Sequence, residues 1–331
     1  MKINDVIGLD VSKSTIDAVL YSSKQHYQFE NNTKGFKTFE KWVSKELKLS
    51  FSKLNICLEH TGQYSYPVSV FLSEKKYNYS VIAGLEIKKS LGIARGKNDK
   101  VDAFKISEYG FLRREVLKQY SLPSKNLVKL QRVSSLRDRL VQTKAGFENT
   151  LIELKFIYKK KDRLEVSATL EKLIKVTLEQ IKKLEKTMMD IINASCEMKK
   201  QFALITSVIG IGPVVATYFL VTTQCFTKFE NSRQFSCYSG TAPFTHQSGT
   251  SINRKSRVNH FANKKMKTLL HLSAFSAIKC DPEIKTYYER RVKLGKSKLS
   301  TINIVKNKLI GRVFAVIKNQ QPYVVLGKHM A

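Results

Sequence analysis

The sequence predicts an α/β domain followed by long helices and a second, mainly helical compact part. Three observations carry this. Residues 5–84 alternate between short strand-like runs and helix-like runs. From about Leu127 to Ile192, Gly and Pro vanish except for Gly146, and apolar residues recur at spacings of three and four. From Gln201 onward the chain is mixed and compact again, and no internal repeat is visible.

The elements follow in order. "DVIGLDVSKSTIDAVLY" reads as strand, turn, strand: Val6 to Leu9 is a short apolar run, and Ile16 to Tyr21 is rich in β-branched and aromatic residues. "HYQFEN" is a third strand. "TKGFKTFEKWVSKEL" places Phe36, Phe39, Trp42, Val43 and Leu47 on one helix face. "KLNICLEH" is a fourth strand, ending at Glu59. "YSYPVSVFLSEKK" is a helix with Pro67 near its first turn, and "YNYSVIAG" is a fifth strand. The order βββαβαβ predicts a mixed sheet with helices on its faces. Leu130, Val133, Leu136 and Leu140, then Leu170, Leu173, Ile174, Leu178, Ile181, Leu184 and Met188, read as two amphipathic helices with "YKKKDRLE" at the tip between them. That pattern fits a coiled coil, within one chain or between chains, and fits an ordinary helical bundle as well.

Charge narrows the partner class. The 331 residues hold 58 Lys+Arg against 27 Asp+Glu, a formal net charge of +31. Such a charge opposes compaction and calls for a polyanion. Nucleic acid is the default, because lysines displace condensed counterions from phosphates; an anionic membrane surface is the weaker alternative. The five cysteines are odd in number and widely spaced, with no C-x-x-C pair, which argues against zinc or a disulfide framework and fits a reducing cytoplasm. The N-terminal "MKINDVIGLD" does not read as a signal peptide. Residues 201–227 carry no charge, but "IGIGP" in their middle would break a spanning helix, so two short buried helices with a turn are expected.

In a chain short of acids, four carboxylates stand out. Asp10 closes the first strand and Glu59 the fourth, while Asp99 and Asp102 lie three apart in "KNDKVDAFKI" at a helix start. At that spacing the last two project from one face, repel each other, and would be relieved by a hard cation such as Mg²⁺. Flanking lysines would relieve them too. If the first and fourth strands are neighbours, Asp10 and Glu59 meet, and the following helix delivers the other two. Asp5, Asp17 and Glu86 read as ordinary turn or cap residues.

"IGLDVSKSTIDAVL", "ICLEHTGQYSYPV" and "ARGKNDKVDAFKIS" resemble the three acidic motifs of the RuvC-like domain in DEDD insertion-sequence transposases of the family numbered one-ten, the bridge-RNA-guided serine recombinases. The resemblance implies that Asp10, Glu59, Asp99 and Asp102 form a catalytic, Mg²⁺-holding tetrad on a ribonuclease H-like fold. It also implies that "YSGTAPFTHQSG", with Tyr238, Gly240, Pro243, Ser248 and Gly249, carries the serine that attacks a DNA phosphate. Ser248 is the matching position, preceded by Gln247 where many relatives have Ser; His246 and His260 are neighbouring candidates for phosphate contact. "VIGIGPVVA" resembles the family's Pro-Gly-Ile-Gly-Pro turn, with Ile209 in place of the first Pro; a phosphate-receiving turn and a plain helix–helix turn both fit.

The implied organisation is a RuvC-like domain over 1–118, a helical coiled-coil linker over 119–200, and a transposase domain over 201–331. The implied partners are target and donor DNA, a structured noncoding guide RNA and further copies of the chain, with no membrane. The basic runs "KKSLGIARGKNDK" and "RKSRVNHFANKKMK" flank both proposed sites; such runs are phosphate contacts or solvated faces. Two other functions fit the same residues: a RuvC-like junction endonuclease using metal and water alone, for which Ser248 is dispensable, and a non-catalytic nucleic-acid-binding scaffold, for which all four acids are.

Overall fold

The computed structural model describes residues 4–47, 50–90, 98–248, 252–258 and 262–324. The chain divides into two compact units, Met1–Leu122 and Pro123–Ala331.

The first unit is a five-stranded mixed sheet in the order β3-β2-β1-β4-β5, from β1 (Asp5–Val11), β2 (Thr15–Leu20), β3 (His26–Glu30), β4 (Leu54–Glu59) and β5 (Tyr79–Ile82). The first three strands meander antiparallel, and β1, β4 and β5 run parallel. The β1–β2 turn is tight because the Ser12 hydroxyl donates to the Thr15 carbonyl and accepts from the Thr15 amide. Parallel strands need a crossover. α1 (Thr33–Lys41), capped by the Asn32 side chain and continued by a π turn over Trp42–Glu46, supplies the one between β3 and β4. α2 (Ser65–Glu74) supplies the one between β4 and β5.

Alternation splits the sheet into two covered faces. Ile7, Leu9 and Val11 face a core with Phe29, Phe36, Phe39, Trp42, Val68 and Leu72. Val6 and Cys57 face the opposite layer, built with Ile87 of α3 (Gly84–Ser90) and with Ile106 and Tyr109 of α4 (Asp99–Leu112). Burial on both faces explains why β1 and β4 are almost continuously apolar.

The second unit opens with α5 (Lys125–Ile157) and α6 (Leu164–Asn193), a helical hairpin. Each helix is roughly 45–50 Å long at 1.5 Å per residue. Arg137 bridges them by donating to Glu185 at 2.8 Å. Then come α7 (Cys196–Thr206), α8 (Pro213–Thr223), α9 (Ser232–Tyr238), the hairpin of β6 (Pro243–Ser248) and β7 (Ile252–Val258), α10 (Lys264–Cys280), α11 (Pro282–Lys293) and α12 (Lys298–Asn319). The uncharged stretch is two short helices, α7 and α8. Gly210 at φ +94° makes the turn, where a side chain would strike the backbone of α10 at Ser273, and Pro213 starts α8. Among the described residues no helix is long and apolar enough to cross a membrane.

The base of the long hairpin is not a separate layer. Leu127, Leu130, Met188, Ile191 and Ile192 share one core with Ile205, Phe219, Leu270 and Leu309 of the later helices. Sequence periodicity marks 119–200 as a distinct segment, whereas its buried residues join it to the C-terminal helices.

Candidate functional site

The four acids come from three elements that the sheet brings to one edge. β1 and β4 are in parallel register with Leu9 beside Leu58, so Asp10 and Glu59 stand one step further on, at neighbouring strand ends. α4 starts there as well: the Asn98 side chain caps it by accepting from the Lys100 amide, and Asp99 and Asp102 fall in its first turn. Acids in a first turn are favoured by the helix dipole alone. Their position over Asp10 is a separate fact, and it depends on glycine.

α4 runs directly over β1 at Gly8. A β-carbon there would lie 2.2 Å from the Ala103 carbonyl oxygen and 2.4 Å from the Ser107 amide nitrogen. At the other end of the helix, Gly110 fits against Cys57 and Val6. With no side chain between strand and helix, the first turn of α4 is held down against the end of β1. Gly8→Ala is therefore expected to lower stability by about 1–3 kcal/mol, the range for overpacking a tight contact. It should also lift Asp99 and Asp102 away from Asp10, because α4 must rise with both on it. Thermal denaturation checks the loss of stability; unchanged melting would mean the close contact is absent in solution.

The electrostatics register the convergence. Asp10 is partly buried, and its carboxyl is pushed up to about 6. Burial is the largest cause, followed by the charges of Asp99, Asp102, Glu59 and Asp17. Asp102 is partly neutralised by Lys105, whose Nζ lies at 2.9 Å. One of the flanking lysines thus plays the neutralising role open to it. Glu59 is held close to α3: a β-carbon on Gly84 would overlap its Oε1. Thr61 Oγ1, two residues beyond Glu59, is buried without a hydrogen-bond partner among the described residues. As the side chains lie, no three His, Cys, Asp or Glu among the described residues are grouped closely enough to enclose a metal ion. The donor chemistry nonetheless fits a hard divalent cation: all four groups offer carboxylate oxygens, and their mutual repulsion at Asp10 is what such an ion relieves.

Two residues here escape sequence reasoning. Asp17 is not a turn residue. It sits within β2, directly opposite Asp10, and is 4% exposed. His26 Nε2 at 2.7 Å and Gln28 Nε2 at 3.1 Å, both from β3, hold its carboxylate. The hairpin arithmetic contains the signal: once Val11 pairs with Ile16, Asp10 must pair with Asp17. Asn31 is the other. Its Nδ2 donates to the carbonyls of Ser12 and Tyr64, both at 2.9 Å, which ties the loop after Asp10 to the loop after Glu59.

In the second unit, Ser248 is the last residue of β6, with Ile252 of β7 as its register partner, and His246 pairs with Arg254. Tyr238 ends α9, Gly240 follows at φ +66°, and Pro243 opens β6. The turn before β6 is anchored to α12, where Asn303 Nδ2 and Asn307 Nδ2 both donate to the Thr241 carbonyl, at 2.8 and 2.9 Å. Gly249, His260 and residues 91–97 of the first basic run lie outside the described residues.

Comparison with known proteins accords with both motif regions. A family model described as "Transposase", of the DEDD type of insertion element IS110, matches residues 7–156. A second, described as "Transposase IS116/IS110/IS902 family", matches residues 202–289. The chain is 27% identical over 323 residues to the pilin gene-inverting protein of Moraxella bovis, covering 96% of this chain and 97% of that protein. The pilin gene-inverting protein of Moraxella lacunata matches with the same identity and coverage. An uncharacterized 43.6 kDa protein of insertion element IS110 from Streptomyces coelicolor is 32% identical over 128 residues, 39% of this chain and 31% of that protein. Between them the two family models cover well over half of the sequence, the first reaching from the sheet unit into the long hairpin and the second lying on the C-terminal helices, and the chain belongs to the IS110 family of transposases, enzymes that act on DNA.

Proposed function

We propose that this transposase cuts and rejoins DNA with two separate chemical groups: a Mg²⁺-binding tetrad of Asp10, Glu59, Asp99 and Asp102, and a nucleophilic Ser248 that becomes covalently joined to DNA. The observation that carries the reading is the meeting of Asp10 with Glu59 at neighbouring strand ends under the first turn of α4; burial first, and then the charges of Asp99, Asp102 and Glu59, push the Asp10 carboxyl up to about 6. The strand order β3-β2-β1-β4-β5, with the acids at the ends of β1 and β4 and on the following helix, supports a ribonuclease H-like, RuvC-like assignment for the first unit.

In this reading the chain's own groups divide the work. The tetrad binds the cation and orients the scissile phosphate; bound there, Mg²⁺ supplies charge stabilisation to the phosphate oxygens. The Ser248 hydroxyl attacks phosphorus, so a Ser Oγ–P bond forms and the P–O bond to one deoxyribose breaks. The hydroxyl proton passes to a base, and the departing sugar oxygen takes up a proton. Reversal with a different sugar hydroxyl rejoins the DNA and frees the serine. Ser248 lies at the end of β6 in the second unit, and lysines and arginines across the chain hold DNA phosphates.

Three further parts belong to the proposal. The functional division is a RuvC-like domain over 1–118, a coiled-coil segment over 119–200 and a transposase domain over 201–331. The exposed apolar side chains on the long helices, Leu136, Ile152, Leu173, Val176 and Leu178, support association with a second copy through a coiled coil. An element-encoded noncoding RNA selects target and donor DNA, in the bacterial cytoplasm; the +31 charge supports binding of such a polyanion. The Moraxella relatives, similar to this chain over 96% of its length, are named for inverting a pilin gene, and that name supports a reaction in which DNA is cut and rejoined.

The test is a covalent one. Incubated with DNA bearing the element's ends and Mg²⁺, the protein is expected to form a detergent-stable, protease-sensitive adduct with DNA, and EDTA is expected to prevent it. Cleavage that leaves no protein on either DNA end would replace this reading with that of a junction endonuclease.

A further inference from the structure

Beside the acid cluster, on the same face of the sheet, lies an apolar niche of about 200 Å³ lined by Val19, Lys24, Lys100, Val101 and Phe104. Lys100 and Val101 occupy the first turn of α4 between Asp99 and Asp102. Val19 is the register partner of Gly8 and Asp17 that of Asp10, so the niche stands one pleat row, roughly 7 Å, from the acids. That is the reach of about one nucleotide along an extended strand.

We propose that this niche seats a nucleobase of the DNA strand whose phosphate lies at the tetrad. Phe104 is the outer member of an aromatic ladder. Tyr21 stacks on it at 6.1 Å with an interplanar angle of 12°, and on Phe111 at 4.3 Å. The Arg114 guanidinium closes the ladder at 4.2 Å from the Phe111 ring. The ladder fixes the plane in which a further ring would stack. Lys24 Nζ stands 5.6 Å from the Phe104 centroid. Its residue is fixed in a left-handed turn, φ 57°, by hydrogen bonds between Leu20, Lys24 and Gln25.

The occupant follows from the chemistry. The volume falls below the roughly 300 Å³ at which drug-sized ligand sites begin, so it suits one ring system rather than a larger ligand. The walls are aromatic and aliphatic, which suits a flat apolar face, and two lysines at the rim suit the phosphates on either side of a base. Val101, 37% exposed, leaves the niche accessible. No carboxyl, side-chain amide or hydroxyl group lines it, and its lysines carry only donors, so no acceptor is present to read a base edge and contact with the ring face dominates. Stacking of this kind tolerates every sequence. It would hold the strand's register at the tetrad whatever the local sequence.

The proposal rests on the tetrad reading, and its test separates the two. A gapped DNA duplex carrying 5-iododeoxyuridine at each unpaired position is bound to the full chain without divalent metal and irradiated. The expected crosslink is on Phe104, in the tryptic peptide Val101–Lys105, and Phe104→Leu removes it while costing only a small drop in melting temperature from the lost stack on Tyr21. In cleavage with Mg²⁺, an abasic nucleotide at the crosslinked position raises KM about fivefold or more for the wild type and has no further effect in Phe104→Leu. Val101→Glu, at an exposed position, places a repelling charge in the niche and gives the same loss without touching the ladder. Crosslinks confined to other peptides, or an abasic penalty equal in wild type and Phe104→Leu, overturn the niche as a base site. Persisting metal-dependent cleavage in Asp10→Asn instead overturns the tetrad and leaves the crosslink result intact.

Discussion

Asp10→Asn is expected to lower Mg²⁺-dependent strand cleavage more than about 100-fold and, in the same sample without metal, to raise the melting temperature. The first effect follows from chemistry. Losing an outer partner of a metal ligand already costs 10–100-fold as a rough range, and an amide in place of the Asp10 carboxylate removes a central charge from the tetrad. The second follows from the crowding at Asp10. Its carboxyl has a folded value of about 6 against 3.8 for the ordinary group. A raised acid value means the folded protein prefers the protonated form. The ionised group therefore costs stability; the cost begins as pH rises past about 4 and is complete above about 6. At one unit per 1.36 kcal/mol, and discounted for partial exposure, about 1–2 kcal/mol is recovered when Asn replaces the ionised Asp at neutral pH. Added Mg²⁺ should stabilise the wild type more than the variant. Denaturation with and without Mg²⁺, beside a cleavage assay, reads all three. A variant that cleaves normally, or melts lower without metal, removes the basis for the tetrad.

Ser248→Ala is expected to retain DNA binding and to yield no covalent adduct at all. Where another enzyme's serine nucleophile has been removed, the loss in turnover is about 10⁶-fold, because no other group takes over attack. Position 248 ends a two-stranded hairpin, and its register with Ile252 is a backbone matter. Alanine keeps that backbone and deletes one oxygen, so the fold is expected to persist and DNA binding with it. Gel-shift affinity and adduct yield on the same preparation separate binding from chemistry. An adduct surviving in the variant would move the nucleophile to another residue.

Much of the first unit is legible in the sequence because its two periods are clean. The short apolar run Val6–Leu9, the β-branched stretch from Ile16 and the helical spacing of Phe36, Phe39 and Val43 give the element order, and adjacency of the first and fourth strands brings Asp10 to Glu59. Asp17 was hidden because its role depends on a hairpin register, and register depends on turn geometry that composition does not display. Read alone, an Asp between Ile16 and Ala18 looks like punctuation. Asn31 was hidden for a related reason: its two acceptors, Ser12 and Tyr64, are backbone groups on loops far apart in sequence. In the second unit, the charged pattern of α5 and α6 announces long helices but not which of their ends is buried. That depends on Leu130 and Ile192 meeting residues more than a hundred positions away. Ser248 has no local signature beyond a Ser-Gly dipeptide, and only the surrounding motif distinguishes it.

The bare contact between Gly8 and the backbone of α4 has a practical consequence for anyone redesigning this enzyme. Main chain rests on main chain, so the spacing of the acids is set by atoms that no substitution elsewhere can resize. The aromatic core of Phe29, Phe39 and Trp42 lies across the sheet from that contact and is open to re-engineering for thermal robustness, whereas a single methyl group added at Gly8, or at Gly84 beside Glu59, would shift the acids themselves.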